Sequence, residues 1–168
     1  MKIKTKKLTT LAIFTTFALV LSYVESLLPP LVASVPGVKI GLPNIIIIFI
    51  LYKFSSYDAM IVSFLRVVLV TLLFGNAMVF FYSIAGAVLS IAIMLILKKI
   101  DFLSIIGVSV AGAVFHNLGQ TIVAIILLRT KEIGYYMIPL FISGIVAGVL
   151  VGLLGAILLK KSKSIKFF

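Results

Sequence analysis

Residues 102–128 read FLSIIGVSVAGAVFHNLGQTIVAIILL. An α-helix needs ~20 apolar residues to cross the hydrocarbon core of a bilayer, and this run is long enough. Its middle is interrupted by His116-Asn117-Leu118-Gly119-Gln120, the densest polar cluster in any apolar stretch of the chain, holding its single histidine. A polar group left unsatisfied in hydrocarbon costs several kcal/mol, so the cluster must face protein, water or a ligand. His116 and Gln120 are four residues apart and share one helix face. The run therefore reads as a membrane helix with one functional face.

The composition carries the same message. Of the 168 residues, 63% are hydrophobic and 11% charged, and the mean hydropathy is +1.36, which places the chain among integral membrane proteins. A formal net charge of +11 raises nucleic-acid binding as a possibility, but the charges sit in the wrong places. Lys2, Lys4, Lys6 and Lys7 open the chain and Lys160, Lys161, Lys163 and Lys166 close it. That distribution marks membrane topology, with anionic lipid rather than nucleic acid as the electrostatic partner. There is no cysteine, hence no disulfide framework, thiolate nucleophile or cysteine metal site. The first apolar run follows basic residues, as in a signal peptide, but it is too long and ends at Glu25 and Pro29-Pro30, so it reads as a retained helix.

Outward from the opening stretch, the expected architecture is an all-α integral membrane protein of one domain with six transmembrane helices, at about 8–28, 41–52, 57–74, 77–97, 103–128 and 135–159. Pro29-Pro30 stops the first, and Lys98, Lys99 and Asp101 form a hinge before the fifth. The second is short for a span, and its start is expected to line a cavity as a half-inserted turn. On this map Lys53, Lys98 and Lys99 join the basic termini on one side, while Lys39, Arg129 and Lys131 lie on the other. The positive-inside rule then puts both termini in the cytoplasm and the Lys39 loop outside. Gly144, Gly148 and Gly152, with Ser83, Gly86 and Ser90 and with Gly107, Ala111, Gly112 and Ala113, predict close packing of the last three helices. Packing is the preferred reading of the glycine stripe over dimerisation.

Arg66 lies well inside the third segment, where an uncompensated charge costs ~2.5 kcal/mol or more. Glu25 is the acid within reach, so two readings stand: a structural Glu25–Arg66 pair, or an arginine facing a ligand. His116, Asn117 and Gln120 form either a pocket wall or an interhelical hydrogen-bond network. Lys39 either snorkels or closes over an anion, and Asn44 either caps the second helix or binds. Asn76 and Tyr82 read as interfacial, and Tyr135 and Tyr136 fit an aromatic belt. Enzyme readings lack their residues. A hard cation bridging a diphosphate needs clustered carboxylates, whereas Asp58 and Asp101 are isolated. No metal-ligand set, nucleophile–base pair or phosphate-cradling glycine loop is present, so no cofactor is expected.

Three motifs together resemble one family: Pro36-Gly37-Val38-Lys39-Ile40-Gly41-Leu42-Pro43-Asn44, Arg66 followed by Leu73-Phe74-Gly75, and His116-Asn117-Leu118-Gly119-Gln120. The chain resembles, over nearly its whole length, the bacterial Gx transporter family, often labelled heptaprenyl diphosphate synthase component I. That family is similar to the substrate-binding S components of energy-coupling factor transporters. The resemblance implies six helices in a bacterial cytoplasmic membrane, a pocket under the outward loop after helix 1, and contact of helices 1 to 3 with a coupling membrane subunit served by ATPase subunits. It also implies a small-residue motif on helix 1 at that contact, which here reads Ala12 and Thr16 instead of a second alanine. The expected function is solute binding for import, with Lys39, Asn44, Arg66, His116, Asn117 and Gln120 as pocket residues and an anionic or isoprenoid-like solute. The alternative is a non-catalytic membrane component of isoprenoid or quinone synthesis or of an electron-transfer assembly. A third reading is a structural subunit whose polar cluster only fixes helix register.

Overall fold

The computed structural model describes residues 2–27, 40–100, 102–129, 131–165 and 167. Its helices are α1 (Lys2–Leu27), α2 (Asn44–Lys53), α3 (Ser56–Phe74), α4 (Ala77–Leu97), α5 (Ile105–Leu128) and α6 (Met137–Lys161), with a 3-10 helix, Lys131–Tyr136, before α6. Among the described residues there is no strand. The stretches that become α1, α3, α4, α5 and α6 are long and apolar enough to cross a membrane. The protein is membrane-embedded. Short polar side chains set the boundaries: Ser55, Asn76 and Ser104 accept hydrogen bonds from Asp58, Val79 and Gly107 N–H and so start α3, α4 and α5. Asn76, expected to be interfacial, is thus a helix cap.

The expectation of six spanning helices needs one change. α2 has 10 residues and is ~15 Å long, about half the ~30 Å of a bilayer core. It starts three residues later than the expected 41–52 because Gly41 has φ +78°, a left-handed conformation that cannot enter an α-helix, and Pro43 stands just before the first turn. Ile45 through Leu51 are all buried, with Ile50 and Leu51 at 0% exposure. A helix apolar on every side must be covered on every side, and α2 is buried against α6, α3 and α1.

Polar links show that successive helices alternate in direction. Lys7 near the start of α1 pairs with Asp58 at the start of α3 at 2.8 Å. Lys53 Nζ, ending α2, donates to Ser162 O just beyond α6 at 2.7 Å. Lys98 Nζ, just beyond α4, donates to Leu51 O in the last turn of α2. Ammonium groups thus meet terminal helix carbonyls, the favourable end of the helix dipole for a cation. These contacts gather both chain termini at one end of the bundle, the terminal end. There Phe14, Phe49, Phe54 and Phe167 stack with ring centroids 5.2 to 6.1 Å apart. At the far end Tyr23 meets Phe74 at 5.0 Å.

α4, α5 and α6 pack most closely. A methyl group on Gly148 would lie 2.5 Å from Val110 Cα, and one on Gly152 would lie 2.8 Å from Ile106 Cα. The glycine stripe of α6 is therefore filled by α5 of the same chain, as the packing reading required.

Candidate functional site

The short α2 leaves space above its first turn, between the longer helices. A cavity of about 180 Å³ occupies this region, lined by Glu25 of α1, Gly41 and Asn44 at the start of α2, Arg66 of α3, Ser83 of α4, His116, Asn117 and Gln120 of α5, and Gly144 of α6. Five of the proposed pocket residues, Asn44, Arg66, His116, Asn117 and Gln120, are thus brought together. Lys39 lies outside the described residues, as do the loop carrying it and Asp101.

Each side chain arrives there for a local reason. Arg66 is ten residues along α3 from Ser56, ~15 Å up the axis and near mid-membrane depth. Its Nε is buried and has no hydrogen-bond partner among the described residues. Glu25 is near enough to act on Arg66 electrostatically, yet the two form no ion pair within 4.0 Å. The pair, one of the two readings of Arg66, is thus not a contact ion pair in this structure. Glu25 Oε1 instead accepts hydrogen bonds from Gly41 N–H and from Leu42 N–H, the latter at 3.4 Å. The physical reason is the turn before α2: the carbonyls of Gly41, Leu42 and Pro43 accept from the N–H groups that open the helix. The N–H groups of Gly41 and Leu42 are left for the Glu25 carboxylate, which also sits at the favourable end of the helix dipole. The left-handed Gly41 aims its N–H at Glu25, and a Cβ there would lie 3.2 Å from Asn44 Nδ2. Asn44 makes no side-chain cap, so the capping alternative is set aside and its amide lines the cavity.

The α5 cluster divides between two tasks. Asn117 Nδ2 donates to Leu140 O of α6 at 2.7 Å, so its amide ties two helices together as well as lining the cavity. His116 and Gln120 pack over Gly86 of α4, where a Cβ would stand 2.8 Å from His116 O and 2.9 Å from Gln120 Cγ. Gly86 thus lets α4 pass beneath the cluster. Sequence reasoning treated Ser83 and Ser90 as packing residues and passed over Ser22, Thr71 and Ser109, yet all five line the cavity. The available signal was their hydroxyls, each set in an apolar helix.

Beyond the cavity, Ala12 and Thr16 lie on the exposed side of α1 with Ile13 and Phe17. Asp58 is 2% exposed, with Oδ1 paired to Lys7 and Oδ2 accepting from Ser55 Oγ. Among the described residues no three His, Asp or Glu side chains come together in a way that could hold a metal ion. An apolar groove of about 370 Å³, lined by Tyr57, Met60, Phe64, Ile84, Val88 and Ile91, runs between α3 and α4 on the outer surface of the bundle.

A family model described as heptaprenyl diphosphate synthase component I matches residues 14–158. The chain belongs to the heptaprenyl diphosphate synthase component I family. All the cavity residues lie within the matched span. No curated protein and no solved structure matches the chain. The description names a component of a synthase and assigns no reaction to this component's own residues.

Proposed function

We propose that the chain is the solute-binding membrane subunit of an importer, a single transmembrane unit set in a bacterial cytoplasmic membrane with both termini inside. The observation that carries this reading is the polar cavity around Arg66, whose buried Nε lacks an acceptor among the described residues of an otherwise apolar bundle. An intramembrane cation without a structural partner is a binding group by default. Asn44, Arg66, His116, Asn117 and Gln120 hold the solute, and Lys39 is the sixth proposed pocket residue. The lysines of the terminal end meet anionic lipid at the cytoplasmic face. No nucleotide-binding motif is present in the sequence, so energy comes from partner ATPase subunits through a coupling membrane subunit. Ala12 and Thr16, on the exposed face of α1 where backbones can approach closely, are the proposed contact with that subunit. The test is native mass spectrometry of protein extracted from its own membrane, with thermal shifts across vitamins, nucleobases and isoprenoids. A retained solute together with coupling subunits supports the reading; no saturable stabilisation and no coupling partner would end it.

A second reading rests on the family description and on the α3/α4 groove: a non-catalytic membrane component of isoprenoid diphosphate synthesis. A cavity of ~150 Å³ holds a molecule the size of benzene. The 180 Å³ cavity is therefore far too small for a heptaprenyl chain, which on this reading lies in the outer groove. Co-purification with a prenyltransferase, without transport, would favour it.

A further inference from the structure

We propose that the solute is a monocarboxylate of about single-ring size, with its carboxylate held by Arg66; this deepens the solute-binding reading and rests on it. The first observation is the state of the two charges in the cavity. Arg66 is its cation and Glu25 its acid, but they form no ion pair within 4.0 Å. Glu25 Oε1 is engaged by Gly41 and Leu42 N–H. The guanidinium keeps its donors, and the buried Nε in particular has no acceptor among the described residues. A guanidinium presents a rigid planar fork that matches the two oxygens of a carboxylate, and such charge-assisted pairs are the strong ones.

The second observation limits the charge. Glu25 stays within electrostatic range of Arg66, and among the described residues these are the two charges that line the cavity, so that lining is close to neutral. A monoanion leaves it with one net negative charge. A dianion or a diphosphate would set a further negative charge beside Glu25 in a low-dielectric site, which is strongly disfavoured. The nearby carboxylate thus works as a charge filter.

The third observation is size. The 180 Å³ of this cavity exceeds by a little the ~150 Å³ that holds a benzene molecule, enough for one ring and its acid group. Val67, Val70, Met94 and Val151 supply apolar wall, while the Gln120 amide and the Ser83 hydroxyl supply polar edges. A ring with a polar substituent suits that mixture better than a plain hydrocarbon.

The test is calorimetric titration of the full chain in lipid nanodiscs with benzoate, its neutral amide benzamide, the dicarboxylate phthalate and inorganic diphosphate. Benzoate is expected to bind saturably, with each of the others weaker by about tenfold or more, the worth of a charged hydrogen bond. Arg66→Gln should lose benzoate by a similar factor, and Glu25→Gln, whose amide oxygen can still accept from Gly41, should admit phthalate. The Glu25 variant guards against a purely structural effect, because a damaged fold does not gain a ligand. Benzamide, phthalate or diphosphate binding as well as benzoate, or Arg66→Gln binding benzoate unchanged, would overturn the proposal. Saturable binding of some other solute with benzoate ignored removes this inference and leaves the solute-binding reading standing; no saturable solute of any kind removes both.

Discussion

Arg66 and Asn117 look alike as polar residues in apolar helices, but their surroundings give them opposite roles. Arg66 lacks a hydrogen-bond partner at Nε among the described residues, so its charge is a standing cost to the fold. Arg66→Gln is therefore expected to leave the melting temperature of ligand-free protein unchanged or raised, measured by thermal unfolding in detergent. Loss of a buried structural ion pair would instead lower stability by ~3–5 kcal/mol. Asn117 is bonded to Leu140 O, and Asn117→Ala should cost about 1–2 kcal/mol in the same assay, since it leaves α5 and α6 without that link. The sequence marked both residues for attention without separating them. The difference lies in what stands opposite: a backbone carbonyl on α6 for one, and for the other a carboxylate already taken by a turn 16 residues further along the chain. A single chain read in order carries no sign of that competition.

The helices divide into a tight set and a loose one. α6 meets α5 through backbone at Gly148, whereas a methyl group on Gly134 would meet nothing within 4 Å. Gly148→Val should thus destabilise the protein by about 2 kcal/mol or more through overpacking, while Gly134→Ala changes little, as read by midpoint shifts for the two variants. α1 presents Ala12, Ile13, Thr16 and Phe17 on an exposed face. Ala12→Leu with Thr16→Leu is expected to leave solute affinity intact while abolishing co-purification with a coupling subunit; retention of that partner would remove α1 from the contact. Long helices were legible because length and apolarity decide them, and Ser55, Asn76 and Ser104 cap as short polar residues do. For α2 the short apolar segment and the turn lining a cavity at its start were legible, but its burial was not, because ten apolar residues fit a short span and a wholly buried helix equally well. Its burial on all sides depends on neighbours supplied by the rest of the chain.

Across the whole molecule, the proposed orientation has a direct test. The sequence contains no cysteine, so single cysteines can be placed without clearing a background. Cysteine at Lys6 or Lys163 should react with a membrane-impermeant maleimide only in inverted vesicles, and cysteine at the exposed Tyr135 only in intact cells. The opposite pattern would invert the molecule and make the cavity face the cytoplasm. The buried stub of α2 also bears on physiology. Its terminal end is closed by the Lys53 and Lys98 links to backbone carbonyls and by the four stacked phenylalanines. The bundle is shaped as a cup with a floor, not as a tube. A cell that makes this chain without partners should keep its proton and potassium gradients, because no ion can leak through a cup, and on the importer reading proposed above the solute crosses only if the whole cup is turned over.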